Sequence, residues 1–316
     1  MSVRGSTGRI ESLEYAPEFV FRGLWSQGWW LNLLLFALTL LSTTIFGFAL
    51  ARAFSTGEPL NVSLVFAGYE RLAHGDTHLW SGLQFSVPLL LILLAHEFGH
   101  YFDCRRWKVD GSLPYFLPSP TLFGTCGAFI RIRSPIYSRK ALFDIGVSGP
   151  IAGFVMLVPF LVLGVSFSHI VPTAANQARF VFGTPLALRA LEALRFPHVP
   201  TGYVSLHPVA VAAWAGLLAT AINLLPMGQL DGGHILYAVL GERWHRFVTL
   251  TFIGVLVVLG FFYWAWWVWA VLLFLFGRRH PLVYDQTPLS RGRIWLSVAA
   301  LAMFLLSFSL VPVSIS

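Results

Sequence analysis

The segment from Leu83 to Phe102 is close to 20 residues long and apolar apart from Gln84, Ser86 and one cluster, His96-Glu97-Phe98-Gly99-His100. A run of that length reads as a helix crossing a bilayer. Ionisable residues inside such a span are costly and mark function. Histidines at i and i+4 lie on one helix face, one turn apart, where both can hold a single metal ion. The glutamate beside the first histidine can reach water bound to that ion. The fold must therefore deliver the rest of a metal site to one face of a membrane helix.

Composition agrees. Of 316 residues, 56% are hydrophobic and 11% charged, and the mean hydropathy is +0.71. A soluble domain could not hide so much apolar surface. The expected class is an all-α polytopic membrane protein of about six to seven transmembrane helices. No series of alternating segments suggests a membrane barrel. The first apolar run starts near Trp29 and is about 24 residues long, which fits a span better than a cleavable signal.

The expected organisation is a cytoplasmic lead-in over residues 1–28, then one transmembrane domain over 29–313 with its catalytic core at about 83–245. Trp29–Ala53 is the first span, with Trp25, Trp29 and Trp30 as an aromatic belt at its entry. Ile145–Phe167 is the third, opening with Gly146, Gly149 and Gly153, small residues that permit close helix contact. His207–Leu225 is the fourth, and Ile294–Pro312 the last. Pro185–Phe196 has the period of an interfacial amphipathic helix. Phe247–Phe276 is too long for one span and somewhat short for two; its aromatic middle, Phe261–Trp267, belongs at an interface. Reading it as two short helices places 16 of the 21 Lys and Arg residues on the inner side. The positive-inside rule prefers that reading over a single tilted span, giving seven spans with the N-terminus inside. The +7 net charge then follows from loop bias and needs no nucleic acid.

Residues 109–144 break the helical pattern. Leu113–Pro120 contains three prolines and cannot continue a helix. Gly124-Thr125-Cys126-Gly127 signals a turn, and Ala128–Arg133 alternates with period two. Apolar, non-helical backbone sits at membrane depth only where protein or a water-filled cavity satisfies it. The expectation is a small re-entrant β-hairpin near the metal, against the alternative of an ordinary surface hairpin.

Catalytic zinc usually takes three protein ligands and keeps one open position. Among the 14 carboxylates, Asp231 alone past the motif lies in an apolar context just beyond a span. His100 is five residues from Arg105, or roughly 7–8 Å along a helix, so both groups lie toward the cytoplasmic end. Asp144 and Asp103 remain as alternatives. Pro226 and Gly228 break the helix before Asp231, so backbone amides and the Asn223 side chain can point into the site. Cys104, four residues past His100, reads as a small packed residue rather than an extra ligand.

Together, HEFGH at 96–100 and Asn223-x-x-Pro226-x-x-x-x-Asp231-Gly232 resemble the site-2 protease family of intramembrane zinc metalloproteases. Gly149-Pro150 and the stretch Leu206–Tyr237 carry the same resemblance, which extends over roughly Leu89–Pro281. It implies one Zn²⁺ per chain on His96, His100 and Asp231, with Glu97 as general base. It also implies Asn223 and Gly232 on the substrate or oxyanion side. Substrates would be transmembrane proteins, pre-cleaved by another protease and cut in or near their spans. The protein would be an integral multi-pass protein of the cell (inner) membrane, with its site toward the cytoplasmic side. The longest outer loop, 168–206, is too short for a PDZ domain, a departure from many bacterial members. The rival reading is a non-catalytic zinc-binding membrane scaffold or transporter. The intact Glu97 argues against it, because binding alone does not need that residue.

Overall fold

The computed structural model describes residues 28–58, 60–120, 122–171, 180–199, 203–276 and 283–315. The lead-in expected over residues 1–28 thus lies almost wholly outside the described residues.

Among the described residues, three helices are long and apolar enough to cross a membrane. Helix α1, Trp29–Thr56, ends at Gly57, whose φ of 72° lets its amide bond back to the Ala53 carbonyl. Helix α2, Val62–Ala73, follows between α1 and the HEFGH helix. Asn61 caps it by accepting from the Leu64 amide at 2.9 Å, which gives that side chain a structural task. Helix α3, Leu83–Arg106, carries the HEFGH cluster and continues a short 3₁₀ helix, Thr77–Gly82. Helix α4, Arg139–Phe167, begins six residues earlier than the apolar pattern suggests, because Ser138 caps it by accepting from the Lys140 amide at 3.2 Å.

Between α3 and α4, strand β1 (Tyr115–Pro118) pairs antiparallel with β2 (Thr125–Phe129). The expected hairpin is present. Its turn precedes the expected signal, with Phe123 and Gly124 both at positive φ, so Thr125–Gly127 already belong to the returning strand. Beyond β2 the pairing resumes at Gly111 and Ile132.

Two further two-stranded sheets had no sequence signal. Strand β3 (His169–Ile170) pairs with β5 (Val204–Ser205), and β4 (Phe180–Phe182) pairs with β6 (Val313–Ile315). Helix α5, Leu186–Arg195, is the expected amphipathic segment. Helix α6, Pro208–Asn223, opens on a proline whose missing amide costs nothing at that position. Helix α7, Asp231–Leu240, begins at the candidate ligand itself. The apolar block after it forms two helices, α8 (Glu242–Leu259) and α9 (Ala265–Phe276). They pack together across Gly260, where a Cβ would overlap the Trp267 ring, and Trp267 Nε1 donates to the Val257 carbonyl at 2.9 Å. Helix α10 is Arg291–Ser307.

The main core lies between α1, α3, α4 and α6, where Phe46, Phe85, Leu89, Ile92, Leu157, Leu161, Trp214 and Leu217 are buried together. Glycines let these helices approach closely. A Cβ at Gly99 of α3 would meet the Ser148 carbonyl of α4 at 2.5 Å and the Gly149 Cα at 2.9 Å. That crossing places α4 directly behind the histidines.

Candidate metal centre

His96 and His100 stand one turn apart on α3, with exposures of 5% and 7%, and Glu97 between them is 4% exposed. Such burial is expensive for ionisable groups unless each has a task and a partner. The partner is Asp231. Its Oδ2 lies 3.2 Å from His96 Nε2 and 3.3 Å from His100 Nε2, and the two Nε2 atoms are 3.1 Å apart. His100 Nδ1 donates to the Ile145 carbonyl at 2.6 Å. A carbonyl only accepts, so Nδ1 holds the ring proton and Nε2 turns a lone pair toward the site in the neutral ring.

This triangle fits a metal. Oδ2 of Asp231 is buried and has no hydrogen-bond partner. Electron-pair donors brought this close repel one another unless a cation joins them. Tetrahedral zinc with bonds of about 2.0–2.1 Å holds its ligands roughly 3.3–3.4 Å apart, close to the separations found here. Two imidazoles and a carboxylate are also a donor set that suits zinc. Among the described residues, these three form the one group of His, Cys, Asp or Glu able to hold an ion.

Helix α4 seats the triad with a stripe of small residues. A Cβ at Gly149 would fall on the His100 ring, one at Gly153 would sit 3.1 Å from His96 Cβ, and one at Gly146 would sit 3.4 Å from the Asp231 carbonyl. Asp231 arrives differently, at the start of α7 after the turn 224–230. Gly228 has φ 59°, and His245 of α8 holds its carbonyl through Nε2 at 3.1 Å. A Cβ at Gly233 would meet the carbonyls of Met227 and Gly228 at 2.5 Å. Gly232 is buried against the Leu224 and Leu225 carbonyls, packed into this turn rather than lining the cavity. The helix N-terminus adds favourable charge for the Asp231 carboxylate.

The alternative carboxylates are engaged elsewhere. Asp144 accepts from Arg293 of α10 at 2.8 and 2.7 Å and from Trp107 Nε1 at 3.1 Å. Asp103 faces Arg106 at 3.7 Å and meets the Ser148 hydroxyl. Cys104 is wholly buried with Val109 and Ile145, as a packed residue.

A cavity of about 190 Å³ opens beside the triad. Glu97 lines it and meets the Ile130 backbone amide, just past β2. Ala128, Phe129 and Ile132 of the hairpin segment line it too, so the hairpin stands beside the triad. Asn223, the last residue of α6, lies on the wall with Nδ2 3.3 Å from His96 Nε2. Sequence reasoning missed His234 and Gln229, which also line the cavity. For His234 the available signal was its spacing of three from Asp231 on one helix.

Residues 84–265 match the model of peptidase family M50, more than half of the chain. The chain belongs to peptidase family M50. This is the site-2 protease family, so the likeness carried by HEFGH and the Asn223–Gly232 pattern holds. The chain is similar to "Probable zinc metalloprotease EGY1, chloroplastic" of Oryza sativa subsp. japonica, 34% identical over 197 residues that cover 60% of this chain and 31% of the relative. The protein of the same name from Arabidopsis thaliana is 31% identical over 242 residues, covering 74% and 43%. "Probable zinc metalloprotease EGY2, chloroplastic" of Oryza sativa subsp. indica is 30% identical over 236 residues, covering 72% and 42%. The chain therefore spans between about a third and under half the length of these M50 relatives. No solved structure matches it.

Proposed function

We propose that the chain is an intramembrane zinc metalloprotease that hydrolyses peptide bonds in or near the transmembrane segments of membrane-protein substrates. The observation that carries this reading is the convergence of His96, His100 and Asp231 beside Glu97, on a helix long and apolar enough to cross a membrane. His96, His100 and Asp231 would hold one zinc ion, which supplies a lowered pKa to water and polarises the scissile carbonyl.

The chain's own residues do the rest. Glu97, buried beside the ligands, takes the proton from the attacking water and passes it to the leaving amine. The Ile130 amide orients its carboxylate. Ile145 fixes the His100 ring through Nδ1, and the α4 glycines keep both rings in place. A transmembrane helix is cut only after its backbone unwinds, and an exposed strand edge can then accept it by β-augmentation. The β1–β2 hairpin beside the cavity supports that route, with the hairpin re-entrant at membrane depth.

Seven spans remain our reading of the membrane topology. The break between α8 and α9 supports it, and so does the bias of Lys and Arg to one side. The same bias supports a cytoplasmic N-terminus and a site toward the cytoplasmic side of the cell membrane. Substrates first cut by another protease would present a shortened outer segment to this compact chain.

The test is cleavage of membrane-protein substrates by the wild-type chain and by Glu97→Gln, compared by terminal proteomics in one membrane preparation. Fragments cut within spans should appear only with the wild type. Identical fragments from both chains would refute a role for Glu97 as base.

A further inference from the structure

The cavity beside the triad carries a side chain that the chemistry above does not use. His234 lies on α7, three residues after Asp231, and lines the same cavity as Glu97, His96 and His100. Residues at i and i+3 share a helix face, so the helix that presents Asp231 presents His234 with it. Helix α4 makes room at Gly146, where a Cβ would stand 2.9 Å from His234 Cβ. His234 is partly exposed, whereas Glu97 and both ligand histidines are buried. It therefore sits where an entering peptide can meet it.

Beyond the polarisation that bound zinc would supply, a hydrogen-bond donor at the carbonyl oxygen stabilises the charge that develops there. As the water oxygen bonds to the carbonyl carbon, the π pair of the C=O bond moves onto oxygen. The water proton goes to Glu97 and then to the amide nitrogen as the C–N bond breaks. A fixed donor at that carbonyl oxygen strengthens as its charge develops. Asn223, the other helix-borne donor on the wall, directs Nδ2 at His96 Nε2. An imidazole keeps an N–H in either tautomer and in either charge state.

We propose that His234 is a catalytic residue of this site: a ring N–H meets the carbonyl oxygen of the bond being cut and stabilises the charge formed there. This rests on the metalloprotease reading above. The test uses the zinc-loaded full chain in detergent, with His234→Ala, His234→Gln and Glu97→Gln. The probe is a labelled single-span peptide with a helix-breaking proline inside its span, so that its backbone can unwind. A phosphinic peptide of the same sequence mimics the tetrahedral transition state.

In His234→Ala, kcat should fall by about 10²–10³, with zinc content unchanged and KM within about twofold. Affinity for the phosphinic peptide should fall in step with kcat. Binding of the labelled peptide, measured in a Glu97→Gln background, should not. His234→Gln, which retains a donor, should recover part of the rate. An unchanged kcat, a loss confined to KM, or unaltered phosphinic affinity would overturn the proposal. Zinc loss from both His234 variants would overturn it too, in favour of a role in holding the ligands. Wild-type protein that neither cleaves the probe nor binds the phosphinic peptide would instead remove the metalloprotease reading, and this proposal with it.

Discussion

The two halves of the metal triad are built in opposite ways. His96 and His100 come from the interior of one continuous helix, α3, whose backbone bonds are internal and whose rings rest on α4. Asp231 comes from the first turn of a ten-residue helix, α7, behind a turn that no regular ladder holds. That turn is set by individual contacts, chiefly the His245–Gly228 bond and the glycines packed under the 224–228 carbonyls. Arg139 adds a clamp at the far end of α7, donating to the Ala238 carbonyl from Nε at 3.0 Å and from Nη2 at 2.7 Å. The histidine half should tolerate small losses of support and fail abruptly on steric intrusion. The aspartate half should weaken by degrees.

The largest effect should come from Gly149→Ala. Its Cβ falls on the His100 ring, so zinc affinity should drop about 100-fold or more, read by competition with a chelator of known affinity. An unchanged affinity would mean that α4 is not the seat of the rings. Gly233→Ala intrudes on the turn carbonyls and should displace Asp231 while leaving the histidine pair in place. The expected loss is about 10- to 100-fold, with residual binding that disappears on adding His96→Ala. His245→Ala removes one buried hydrogen bond, worth about 1 kcal/mol. Thermal unfolding should register it, and zinc affinity should fall by less than about 10-fold. The smallest change is Asn61→Ala, which strips the α2 cap. It should cost about 1 kcal/mol and leave zinc binding untouched, so any metal loss there would show that the site is coupled to α2.

The same contrast explains what the sequence made legible. HEFGH was readable because two histidines and a glutamate lie within five residues of one periodic helix. Asp231 emerged by elimination, since its apolar setting differs from that of Asp144 or Asp103. The hairpin was visible through its prolines and alternation, although its turn falls earlier than the glycines suggest. The long helices were legible from their apolar runs, within six residues at each end. By contrast, β3–β5 and β4–β6 join segments far apart in the chain, and pairs of two or three residues carry no period to detect. Helix α2 hid in a loop because its apolar face covers barely three turns. The glycines of α4 showed close contact but not with what; that α4 seats the imidazoles depends on how α3 and α4 cross. His234 escaped because its value arises only where α7 and α4 meet.

One zinc ion held by His96, His100 and Asp231 is the central claim, and zinc X-ray absorption with metal content on purified full chain tests it most directly. Wild type and Glu97→Gln should each carry about one zinc per chain, with nitrogen and oxygen ligands at about 2.0–2.1 Å and no sulfur near 2.3 Å. Asp231→Ala should carry almost none. Retained zinc with an unchanged ligand shell in Asp231→Ala, or a sulfur ligand pointing to Cys104, would contradict it.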